Sequence, residues 1–123
     1  MTIIEAINRT DALVRNTFNQ EDKVQWLSGL DSDIKTQVLD HFEDGKDISF
    51  SEYNADRDMN RELLVKAPHD VMYLRFLEAQ IHYYNGEIDR YNNTLAAFNA
   101  AYGSFCDYYL RTHKPISSGQ FKF

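Results

Sequence analysis

The chain has 123 residues, of which 43% are hydrophobic and 14% aromatic, and a formal net charge of −6. That length fits one domain with a modest core. There is no basic stripe, no apolar run of about 18 residues and only one cysteine, Cys106, which argues against sequence-reading nucleic-acid binding, a transmembrane helix and an intrachain disulfide.

Glu5, Arg9 and Asp11 interrupt the apolar residues at the N-terminus, so no secretory leader is expected and synthesis in the cytoplasm is. Thr2-Ile3-Ile4-Glu5 is a capping box, in which hydroxyl and carboxylate each satisfy a free N–H at a helix start. Ile3, Ile4, Ile7 and Val14 then predict a helix over 3–17. Asn19 is a candidate N-cap with Glu21 and Asp22 in the first turn, opening a helix over 20–29 that weakens at Gly29. Asp31 is a candidate cap for a third helix over 31–42, carried by Ile34, Val38, Leu39 and Phe42. Residues 43–67 predict a polar loop that ends in the brief apolar run Leu63-Leu64-Val65. Pro68 biases its predecessor to extended backbone and suits a helix start.

From there the pattern is unusually regular. Leu74, Leu77, Ile81, Tyr84, Ile88, Tyr91, Leu95, Phe98, Tyr102, Phe105 and Tyr109 recur at alternating spacings of three and four. The register passes through Asn85-Gly86 without a phase change. It predicts one long helix over 69–111, with a kink or a hairpin at Gly86 as the alternatives. An unbroken helix over the stripe would span about 54 Å. Three short helices cannot cover that length, so part of the stripe is expected to face another molecule. Pro115 and Gly119 end the helical pattern. Residues 113–123 predict an extended tail with Phe121 and Phe123 on one side, expected to dock on a neighbour or a partner, or else to fold back on its own subunit. The expected fold is thus all-α: one helical domain over 1–112 and a docking tail.

Charge is unevenly placed. Residues 1–60 carry 13 acids and 6 bases, whereas residues 61–123 carry 6 acids and 7 bases. An acidic half and a near-neutral aromatic half predict two surfaces with different partners.

Candidate chemistry is sparse. None of His41, His69, His82 and His113 lies three or four residues from another histidine, so no local metal pattern is present. Glu78 and His82 share a helix face as a solvated pair. Cys106 lacks the features of an activated thiol. No cofactor is expected. Asn85, Asn92 and Asn99 lie seven apart beside the stripe and form either a register-fixing polar ladder or a solvated helix edge. The candidate interface is therefore Tyr84, Tyr91, Leu95, Phe98, Tyr102, Phe105 and Tyr109 with those three asparagines.

Several segments together resemble a known family. They are Ile7-Asn8, Asp11-Ala-Leu13, Gln25-Trp-Leu-Ser28, Glu62-Leu-Leu-Val-Lys-Ala-Pro-His-Asp70, Tyr73-Leu74 and Leu77-Glu-Ala-Gln-Ile81. His82-Tyr-Tyr-Asn-Gly-Glu87, Arg90-Tyr-Asn-Asn93, Phe98-Asn99, Arg111-Thr-His-Lys-Pro115 and Phe121-Lys-Phe123 continue the pattern. The chain resembles the head–tail adaptors, or connectors, of tailed phages and prophages of Gram-positive bacteria. Lys66 stands where that pattern has proline and His69 where it has tyrosine. The resemblance implies a non-enzymatic virion protein in the head–tail neck. It implies a homo-oligomeric ring, commonly of twelve subunits, below the portal protein. Such a ring extends the DNA channel, lets DNA pass without binding it specifically, and docks the next connector or tail component. No membrane contact is implied. The alternative expectation is a small helical regulatory protein acting as a dimer on one protein partner.

Overall fold

The computed structural model describes residues 1–116. Four α-helices carry the fold: α1 (Ile3–Leu13), α2 (Gln20–Gln37), α3 (Met72–Tyr84) and α4 (Ile88–Thr112). No β-strand occurs among the described residues; two isolated bridges join Thr2 to Glu62 and Phe42 to Pro115.

The capping box forms as its residues predict. Thr2 Oγ1 accepts the Glu5 N–H at 3.2 Å and Glu5 Oε1 accepts the Thr2 N–H at 2.9 Å. The helix stops at Leu13 rather than at residue 17. Just beyond it, the Asn16 amide donates to Asp11 and to the Val14 carbonyl, and its oxygen accepts the Phe18 N–H. That local bonding competes with another helical turn.

Asn19 caps α2, accepting the Asp22 N–H at 2.8 Å. The expected break at Gly29 and Asp31 is absent, so the two short helices over 20–29 and 31–42 are one helix to Gln37, followed by single 3-10 turns at Leu39–His41 and Gly45–Asp47. Asp31 is not a cap. It is fully buried in mid-helix and receives three hydrogen bonds: the Tyr53 hydroxyl, the Tyr73 hydroxyl at 2.6 Å, and the Leu64 N–H at 3.1 Å. The Tyr73 oxygen in turn accepts the Val65 N–H at 2.8 Å. One carboxylate thereby fastens the irregular segment before Pro68 to α2 and α3. Burial pushes the Asp31 carboxyl up, against the pull of both tyrosine hydroxyls. It pushes the Tyr73 phenol up as well, reinforced by the carboxylate.

The single long helix over 69–111 is also corrected. Asn85, Gly86 and Glu87 form a turn, and α3 and α4 are an antiparallel hairpin. Gly86 has φ +75°, the only positive φ among the described residues. Its N–H donates to the Tyr83 carbonyl at 3.1 Å and the Glu87 N–H to the His82 carbonyl at 2.9 Å. That paired bonding is a Schellman stop, which needs a left-handed residue just past the cap. The helix before it opens late: His69–Val71 is a 3-10 turn and α3 begins at Met72.

Ring contacts fix the register of the hairpin. Tyr83 meets Tyr91 at 5.2 Å, Phe76 meets Phe98 at 5.5 Å, and His69 meets Phe105 at 6.1 Å. Each step moves seven residues away from the turn on both arms. The core is shared by all four helices: Ile3, Ile7, Leu27, Ile34, Leu77 and Ile81 are fully buried, and Phe105 and Tyr109 of α4 are buried with them.

Candidate functional site

Folding the stripe back on itself changes what it leaves exposed. Leu74, Leu77 and Ile81 on α3, and Phe105 and Tyr109 on α4, are buried in the subunit. Tyr91, Leu95, Phe98 and Tyr102 are half-buried along the hairpin seam. The stripe is therefore divided between two helices, and no rod of about 54 Å is left to be covered. Of the stripe, Tyr84 and Ile88 at the hairpin tip stay 57% and 56% exposed, with Tyr83 beside them at 51%.

The tip is a built surface. Tyr84 stacks on Trp26 at 5.4 Å, with the ring planes 4° apart. Phe18 packs edge-on against Trp26 at 5.5 Å, and Tyr83 edge-on against Tyr84 at 5.1 Å. Side chains from the α1–α2 connection, α2, α3 and α4 thus make one aromatic belt. The sequence placed Tyr84 and Tyr91 here but not Phe18 or Trp26, which only the tertiary fold brings to the turn.

The asparagine ladder does not survive as a set of three. Asn92 and Asn99 lie exposed on α4, while Asn85 is in the turn. Phe121 and Phe123 lie outside the described residues. The start of the tail does not extend away from the subunit: the Glu43 N–H donates to the Lys114 carbonyl and the Ile116 N–H to the His41 carbonyl, both at 2.9 Å.

A groove of about 490 Å³ lies beside the belt, between α2 and α3. Trp26, Leu30 and Phe76 line it, with Gly29, Asp33 and Glu52. The Tyr102 phenol of α4 sits near enough to feel Asp33; burial first, then Cys106 and Asp33, push it up to about 12.

Catalytic arrangements are weak. His82 pairs with Glu87 at 2.9 Å across the turn, not with Glu78, which is held by Arg75 at 2.6 Å. The hydrogen bond from His82 is the main cause holding the Glu87 carboxyl below its usual range. This pair braces the Schellman turn where a hydrophobic contact usually sits. Burial raises the Cys106 thiol, and Asp107 adds to it, the opposite of an activated nucleophile. No group of His, Cys, Asp and Glu able to hold a metal occurs among the described residues, and no helix among them is long and apolar enough to cross a membrane.

Compared with family models, curated proteins and solved structures, the chain matches none.

Proposed function

We propose that the chain is a non-enzymatic assembly protein of the phage neck, a head–tail adaptor that forms a ring on the portal protein. The observation that carries this reading is the exposed aromatic belt at the hairpin tip, fixed in place by ring stacking and by the Schellman turn. Exposed aromatic surface held rigidly is the usual form of a protein–protein contact. The sequence resemblance supplies the assembly. The uneven charge supports the same reading, because an acidic surface facing a channel keeps passing DNA from sticking. In a ring the belt of one subunit would meet a different surface of the next, a heterologous contact that closes by rotation.

Tyr84→Asp and Ile88→Asp test the contact. Both side chains are more than half exposed, so the subunit should keep its helical circular dichroism. Sedimentation should show loss of the oligomer. Normal assembly by both folded variants would refute the belt as the interface.

A further inference from the structure

We propose that the groove between α2 and α3 receives the C-terminal end of α1 from a second copy of the chain, with Leu13 on its apolar floor and Arg15 and Arg9 against its acidic rim. The inference rests on the reading that copies assemble through the belt. It adds the groove, which shares Trp26 with the belt, to that contact.

The groove is apolar below and acidic above. Trp26 and Phe76 are half-buried in its floor, over a buried Leu30. Gly29 leaves room, since nothing stands within 4 Å of where a side chain would begin. Asp33 and Glu52 stand exposed at the rim, and Glu21, Asp22 and Asp56 line the adjoining hollow along α2. None of these five carboxylates forms an ion pair among the described residues. An apolar floor edged by unanswered negative charge fits an apolar side chain flanked by cations.

The chain carries that complement itself. Leu13, the last residue of α1, is 60% exposed, more than any other large hydrophobic side chain among the described residues. Arg15 is exposed and forms no ion pair among them. Arg9 lies one turn before Leu13 on the same helix face, and acts on Glu5 only at a distance.

The two surfaces face apart. Phe76 and Gln80 of α3 line the groove, whereas His82 and Asn85 line the hollow that holds Leu13 and Arg15. Asn85 follows Phe76 by about two and a half helical turns, which places it on the opposite side of α3. Leu13 therefore lies across α3 from the groove of its own subunit. Each copy offers the groove to one neighbour and the α1 end to another, which is a heterologous contact.

The test is an exchange of charge. Asp33→Lys/Glu52→Lys reverses the rim, and Arg9→Glu/Arg15→Glu reverses the α1 end. All four positions are exposed, and circular dichroism checks the fold. In sedimentation, each variant alone should associate about tenfold more weakly than the wild type, because like charges then meet. Leu13→Ser, which leaves every charge in place, should weaken association as well. An equimolar mixture of the two charge variants should regain wild-type association, since every contact in an alternating assembly again pairs opposite charges. A chain with all four charge substitutions should regain it too. Failure of the mixture to recover overturns the proposal, because the two surfaces then do not meet. If the α1 variants associate like the wild type while Tyr84→Asp does not, this proposal falls and the belt reading stands. A wild type that stays monomeric overturns both.

Discussion

At the scale of single residues, Asp31 is the most consequential side chain. It is a buried carboxylate with three hydrogen-bond donors, and the Lys66 ammonium adds an attraction smaller than those bonds. Removing it leaves the Leu64 N–H and the Tyr53 and Tyr73 hydroxyls without their acceptor. Asp31→Ala should therefore cost about 3–5 kcal/mol, read as a fall in the urea midpoint. Its pH dependence has a definite sign. The folded-state pKa is raised, so the folded protein holds the proton more tightly than the unfolded chain. The stability this group contributes is present below the ordinary aspartate pKa and is lost as pH rises through the folded value. The stability of the wild type relative to Asp31→Asn should decline over that acid window and level off above it. A difference that grows with pH would contradict the burial account. Gly86 is the second such residue. Its φ of +75° and open surroundings mean that Gly86→Ala meets backbone strain and no clash, a loss of about 1–2 kcal/mol. A melt at or above the wild-type midpoint would argue for a continuous helix.

At the scale of elements, the capped helix starts after Thr2 and Asn19 and the last helix stop, expected at 111 and found at Thr112, were legible, whereas the starts of α3 and α4 and the stops of α1 and α2 were not. Thr2, Glu5 and Asn19 cap helices using neighbours three residues away, and such pairs can be read from a sequence. Asp31 looked like a cap because it precedes Ile34. Its partners Tyr53, Leu64 and Tyr73 lie 22 to 42 residues away, out of range of any local pattern. The hairpin stood as an alternative, behind one long helix, for a different reason. The turn is three residues long, so an alternating three-four stripe crosses it without slipping, and both arms still present their stripe to the same core. Across the seam, the stripe residues Tyr91 and Phe98 of α4 meet Tyr83 and Phe76, each one position before a stripe residue of α3. The signal that should have decided it was Asn85-Gly86 itself, a strong turn pair that outweighs an unbroken register. The aromatic belt was half legible, because Phe18 and Trp26 join Tyr84 only in three dimensions. Gly103, by contrast, is an exposed glycine inside α4 with open space around it. Gly103→Ala should raise stability by about 1 kcal/mol. A lower midpoint would show that the backbone at this point of α4 is not regular helix.

At the scale of the whole molecule, the hairpin reduces the apolar surface left for partners; Tyr83, Tyr84 and Ile88 stay exposed at the tip, and Val71, Tyr108 and Leu110 toward its other end. A ring adaptor needs a contact surface on each side of the subunit. In the proposed ring the belt would supply one, and the exposed face of α4 that carries Asn92 and Asn99 would offer a polar counterpart. The proposed channel role gives a further expectation. The isolated protein should hold duplex DNA no more tightly than a weak nonspecific binder at moderate salt, because its acidic half has no cluster of Lys and Arg to release counterions. Tight duplex binding in a gel-shift titration would remove the channel role. The most direct measurement is native mass spectrometry of the purified protein, with negative-stain imaging, alone and mixed with portal protein. The account predicts closed rings, formed alone or on the portal, that are lost in Tyr84→Asp. A stable monomer or dimer that ignores the portal would contradict it.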